Sequence, residues 1–140
     1  MKKLTIAPRA GKRYFSLLQE VVGIELPNEL ISIIEKYGGL AVLEDKYIDS
    51  NNNEWELQTF DHIASIIDLT KGFKEKGWGL KVPFAYDPGG WHFCLSFDED
   101  TYGKIIINRW TDHSPEEQFL VIANSFEEFI DGLKRSDELS

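Results

Sequence analysis

Cys94 is the only cysteine among 140 residues, so no internal disulfide can form, and a reducing cytoplasm is the compartment that suits such a chain. No run of about 18 apolar residues occurs, which leaves no candidate for a membrane span. The N-terminus MKKLTIAPRAGKRYF is basic, but its apolar segment is too short and broken for a secretory leader. There is no repeat and no low-complexity tract beyond the short Ser50–Asn53 run, which reads as a turn. His62, His92 and His113 are scattered, and with one thiol there is no CxxC or HxxxH spacing. Neither a metal nor another cofactor is therefore expected. Basic residues are also scarce, 15 against 24 acidic ones, for a formal net charge of −9. Five of the bases, Lys2, Lys3, Arg9, Lys12 and Arg13, fall in residues 1–13, a stretch without acids that reads as a flexible basic segment. The remaining chain carries ten bases against 24 acids, or −14. Such a field repels phosphate backbones and attracts basic proteins, so nucleic-acid binding is disfavoured. A surplus of acids also serves solubility, and on its own it says no more than that.

What the chain does contain is core-forming material. Hydrophobic residues make up 42% and aromatics 13%, enough for one globular domain spanning residues 1–140. Tyr14, Leu17, Leu18, Val21 and Val22 recur at helical spacing, closed by Gly23. Pro27 opens a second helix with Leu30, Ile33, Ile34 and Tyr37 on its stripe, ended by Gly38-Gly39. GLAVLEDKYI and EWELQTF read as two strands around the Asn-rich turn, after which Phe60, Ile63, Ala64 and Ile67 return to helical spacing. LKVPFAY alternates Leu80, Val82, Phe84 and Tyr86 on one face, and Pro83 predicts an edge or a bulge there. WHFCLSF alternates with a period of two, GKIIINRW is a third strand and QFLVIA a fourth. Ser125 and Glu128 form a capping box for a helix with Phe126, Phe129, Ile130 and Leu133 on its apolar face. The fold class predicted is α+β, an antiparallel meander flanked by helices.

Asp87-Pro88-Gly89-Gly90 lies between two alternating strands and is followed by a strand, so it reads as a hairpin turn. A phosphate loop would lead into a helix. His92 and Cys94 share one face of a strand, roughly 7 Å apart at the backbone given the strand rise. That spacing is poor for proton transfer. Cys94 reads as a small buried hydrophobe, and His92 as a surface or helix-facing residue. No catalytic residue is assigned, and the chain is not expected to be an enzyme. Asp98-Glu99-Asp100 lacks the ligand pattern of a calcium loop and reads as a hairpin tip held open by like-charge repulsion. Of the tryptophans 55, 78, 91 and 110, Trp78 in KGWGLK is the one expected to be partly exposed, as a protein-binding anchor would be.

One resemblance runs along most of the chain. Leu26-Pro27, Lys36-Tyr37-Gly38-Gly39, Val82-Pro83-Phe84-Ala85 with Asp87 and Gly89-Gly90, Cys94-Leu95, Gly103-Lys104-Ile105, Trp110 with Asp112-His113, and Ala123 before Ser125-Phe126-Glu127-Glu128-Phe129 occur in an order that resembles the SUKH superfamily. The resemblance implies a small α+β domain found in fungal cell-wall regulators and in bacterial immunity proteins, which bind a polymorphic or contact-dependent toxin, often a nuclease, and perform no chemistry. Two positions depart from the family pattern, Trp91 where Asn is frequent and Ser96 where Asp is common, and no polar role is carried over to either. The expected partner is a cognate protein toxin, with no nucleic acid and no membrane. A basic nuclease domain would be drawn to an acidic surface and its substrate groove blocked. The carboxylates that suit this are Asp98, Glu99 and Asp100 on the hairpin tip and Asp112, Glu116 and Glu117 after the third strand, with Trp78 or Trp91 as the desolvated anchor. The alternative is a regulatory or scaffolding module without a toxin.

Overall fold

A computed structural model describes residues 2–4 and 12–138. Most of the basic N-terminal segment, Arg9 included, lies outside the described residues. Four α-helices and two antiparallel sheets make up the described fold, which is α+β. Helix α1 (Lys12–Val22) and α2 (Asn28–Tyr37) come first, and α1 takes Lys12 and Arg13 into a helix. Strands β1 (Glu44–Ile48) and β2 (Glu54–Glu56) flank the Asn-rich turn, where Asp49 accepts hydrogen bonds from the N–H groups of Asn51 and Asn53 and from Trp55 Nε1. The stretch predicted as one strand, EWELQTF, breaks in its middle. Leu57 N–H donates to Asp45 in the small sheet and Gln58 N–H to Tyr86 in the large one. The chain thereby changes sheets and enters β3 (Thr59–Phe60).

Helix α3 (Ile63–Glu75) lies along the next strand, β4 (Lys81–Tyr86), and packs against α1. Its buried stripe is Ile63, Ile66, Ile67, Thr70 and Phe73; Phe60 belongs to β3 and Ala64 is exposed, contrary to the stripe predicted. In α1 the buried face is Phe15, Leu18 and Val22, while the predicted Tyr14 and Leu17 stand exposed. Both spacings were helical, and they differ by one position of rotation, which a short amphipathic segment cannot decide by itself.

The meander continues through β5 (His92–Ser96), β6 (Ile105–Asn108) and β7 (Phe119–Ala123), giving the sheet order β3-β4-β5-β6-β7. Pro83 is inside this sheet, beside a register shift against β5 between Pro83 and Ala85, so the bulge rather than the edge accommodates its missing donor. After β7, Ser125 Oγ accepts the Glu128 N–H at 3.0 Å and opens α4 (Phe126–Asp131), while the Glu128 carboxylate accepts the Asn124 N–H. Strand β8 (Lys134–Arg135) then pairs with β1, completing a small sheet of order β2-β1-β8.

One face of the meander carries Val82, Phe93, Leu95, Ile105 and Ile107, all buried, and Phe84 and Phe93 meet Phe126 and Phe129 of α4. The other face carries His92, Cys94 and Ser96 with their neighbours Lys81, Ile106 and Asn108. It too is covered. Nearly every residue of β4, β5 and β6 is therefore buried, where one-sided alternation had suggested a solvent face.

Candidate functional site

The second sheet face leads outward to a cleft of about 560 Å³ between three connections. These are the α3–β4 loop with Trp78, the β5–β6 connection with Asp98 and Asp100, and the β6–β7 connection with Thr111 and Pro115. Trp78 is half-buried, but so are Trp55, Trp91 and Trp110, so partial exposure does not single it out as expected; its ring meets Phe73 at 5.5 Å, Trp110 at 5.5 Å and Phe119 at 6.2 Å. Lys76 Nζ lies 4.7 Å above the Trp78 ring and 5.2 Å from that of Trp110. Among the described residues the other three tryptophans each spend the indole N–H on an internal acceptor: Trp55 on Asp49, Trp91 on Asp112 and Trp110 on the Gly90 carbonyl. Trp78 does not, and it lines the cleft with its indole N–H uncommitted among the described residues.

The three acids of the hairpin tip divide between two jobs. Asp98 Oδ1 accepts the Leu80 N–H at 2.8 Å, and Asp98 Oδ2 accepts from Lys81 Nζ at 2.6 Å. Lys81 is 8% exposed, donates also to the Trp78 carbonyl and sits 4.3 Å over the Phe119 ring. Asp98 is thus the counter-ion of a buried lysine and ties the tip to β4. Like-charge repulsion does not hold the tip open; this pair holds it down. Glu99 and Asp100, in a short 3-10 turn, are exposed and in no ion pair among the described residues. Ser96 departs from the family pattern yet keeps a polar role, its hydroxyl meeting Thr101 at 2.6 Å and accepting from the Asp98 N–H.

The β6–β7 connection holds the second acid group. Asp112 is exposed and accepts the Trp91 indole N–H at 2.6 Å, so Trp91 is half-buried and tied to a carboxylate. Glu116 and Glu117 are exposed, with Glu117 3.8 Å from His113. The connection is fixed from beneath by Asn108, fully buried, whose Oδ1 accepts both the Trp110 N–H and the Gln118 amide. Trp110 holds φ 54, uncommon for a bulky residue, and its indole donates across to Gly90. The structure brings Trp78, Asp98 and Asp100 into one cleft. Trp91 and Asp112 lie apart from its lining. Trp110, Lys76, Lys81, Gln118 and Phe119 also build the site, and little in the chain marks them in advance: a lysine on a strand reads as solvated, and a positive φ at Trp110 leaves no trace in composition.

His92 and Cys94 do not form a reacting pair. The Cys94 thiol is fully buried, which pushes its pKa up, and Sγ faces the His92 carbonyl rather than the ring. The His92 ring is mostly buried, in contact with Tyr86 and Trp110, with Nε2 3.7 Å from Asp61 Oδ2, beyond hydrogen-bond range. Burial lowers the His92 pKa to about 4 and raises that of Asp61 to about 7. Among the described residues no group of three His, Cys, Asp or Glu side chains is placed to hold a metal ion, and no helix is long and apolar enough to cross a membrane.

Two similarities to known proteins were found. The SUKH_6 family model, described as SMI1-KNR4 cell-wall, matches residues 15–130, which take in every residue of the cleft. The SPbeta prophage-derived uncharacterized protein YokK of Bacillus subtilis (strain 168) is 27% identical over 138 residues, covering 81% of this chain and 69% of that protein.

Proposed function

Because this chain belongs to the SUKH_6 family of SMI1-KNR4 type, we propose that it is an immunity protein, which binds a cognate protein toxin and neutralises it by occlusion rather than by turnover. The family match over residues 15–130 carries this reading. The finer claim, that the toxin is a basic nuclease, is supported by the formal charge of −9 and by the exposed carboxylates Glu99, Asp100, Glu116 and Glu117 on the two connections that border the cleft. A nuclease carries a cationic groove for its phosphate backbone, and an acidic protein competes for that groove. Trp78 supplies the apolar anchor, and its open N–H supplies a directional bond once water is excluded.

Co-expression with the toxin domain encoded beside this gene tests the proposal: restored growth and a co-purifying complex are expected, and unrelieved toxicity in the presence of folded protein refutes it. The family description also favours a second reading, a cell-wall-related regulatory module. A gene with no adjacent toxin, and a complex with a cellular protein instead, is the result that selects it.

A further inference from the structure

A second surface lies between α2 and α4. A depression of about 360 Å³ is walled by Glu29 and Ile33 of α2 and by Phe126, Glu127, Ile130 and Asp131 of α4. A smaller one of about 170 Å³ shares Ile33 and Ile130 with it and continues past Tyr37, Val42 and Leu133 to Glu44. Together they make one groove with an apolar floor of aliphatic and aromatic side chains. Beyond Tyr37 the chain exposes Leu40 and Leu43, the latter 67% accessible. Among the described residues, carboxylates line the groove at Glu29, Glu44, Glu127 and Asp131, and no basic side chain does. None of the four is in an ion pair among the described residues; Arg135, the cross-strand neighbour of Glu44, turns its Nε to Asp137 at 3.4 Å.

We propose that this groove docks a basic amphipathic helix of a partner protein, with aliphatic side chains on Ile33 and Ile130 and lysines or arginines reaching the carboxylate rim. The claim rests on the reading that the chain acts by binding protein, and it names a docking element separate from the Trp78 cleft. Two of the walls are helices, and a third helix sets its ridge of i, i+3, i+4 and i+7 side chains into the groove they leave. Long basic side chains lay their methylenes along the floor while their heads meet the acids, which matches an apolar floor with an unpaired acidic rim. A second copy of this chain fits poorly, because it carries the same net charge of −9.

The probe is a fluorescein-labelled leucine–lysine amphipathic peptide of about four helical turns, followed by anisotropy, with a scrambled peptide of equal composition beside it. Glu127→Lys with Asp131→Lys is expected to weaken binding by about tenfold or more, and the charge-matched Asp68→Lys with Glu75→Lys, on the exposed side of α3, by less than about twofold. Equal weakening by both pairs overturns the proposal, since only the overall field would then be at work. Equal affinity for the scrambled peptide overturns it too, as does a concentration-dependent dimer that Ile33→Asp abolishes. Circular dichroism shows whether each variant is folded. A toxin complex that survives the groove variants and fails on cleft variants removes the groove from toxin binding and leaves the immunity reading intact.

Discussion

Asp98 illustrates how a residue that looks like surface charge can belong to the fold. Its carboxylate receives the Leu80 N–H and the ammonium of a lysine that has little water around it. Removing it leaves the Lys81 ammonium buried without its counter-ion, with the Trp78 carbonyl and the Phe119 ring as its remaining contacts among the described residues. Asp98→Ala is therefore expected to lower stability by about 2–4 kcal/mol in urea unfolding. The double change Asp98→Leu with Lys81→Met costs less than the single one, because no unpaired charge remains. If the double variant is no more stable than Asp98→Ala, the pair is not what fixes the tip. Asp61 and His92 make a second residue-scale prediction. The folded protein favours neutral forms of both, with Asp61 holding its proton up to about pH 7 and His92 refusing one down to about pH 4. Between about pH 4 and 6.5 the unfolded chain gains a proton at His92 and loses one at Asp61, so the two slopes oppose and wild-type stability is nearly flat. Asp61→Asn removes one arm. Its stability should rise with pH through that window, by on the order of 3 kcal/mol, as the unfolded His92 gives up its proton. His92→Gln should do the reverse and lose stability as pH climbs from about 4 to 7. Thermal melts in a pH series decide it, and parallel curves for all three proteins would show that burial does not set these protonation states.

Elements show where local pattern suffices and where it does not. The β6–β7 connection hangs on the Asn108 amide, which accepts from Trp110 and Gln118. Asn108→Leu should cost about 1–3 kcal/mol and leave the Gln118 amide without an acceptor. Trypsin should then cut at Arg109 faster than the drop in global stability explains, and cleavage that merely tracks global unfolding argues that the connection is held by its tryptophan instead. None of this was legible in the sequence, since an Asn after Ile-Ile-Ile carries no mark of a buried hub. The strands themselves were legible, because β5 and β6 are short segments with uniform pairing and a clear period. So was the capping box, a contact made within four residues. The two-residue strand β8 was not, because it exists only through a distant partner in β1, and β3 was legible only as the end of EWELQTF, its separate pairing with β4 being set at a distance. The face of α1 was misread for the same reason: it is chosen by α3, some fifty residues away. In the cleft, KGWGLK pointed to Trp78 through its glycines and lysines, whereas Lys81 and Phe119 meet only once the meander has formed.

At the scale of the whole molecule, charge and apolar surface act over different ranges and should leave different kinetic traces. A field from a net −9 reaches a partner across about 10 Å of 0.1 M salt, before any side chains touch. It sets how often productive encounters occur, so it belongs to the association rate. Trp78 acts only at contact, where its ring is desolvated, so it belongs to the dissociation rate. Raising salt from about 0.05 to 0.5 M should therefore slow association with a basic toxin domain by about tenfold or more and change dissociation by less than about threefold. Charge reversal at Glu99, Asp100, Glu116 and Glu117, all exposed, should mimic the salt. Trp78→Ala should instead speed dissociation by about thirtyfold, the cost of losing an anchor worth about 2 kcal/mol, and leave the salt slope of association unchanged. Stopped-flow mixing separates the two rates. A salt dependence carried by dissociation would mean that the ion pairs are buried in the complex, and the division of labour between the acidic connections and the tryptophan would not hold.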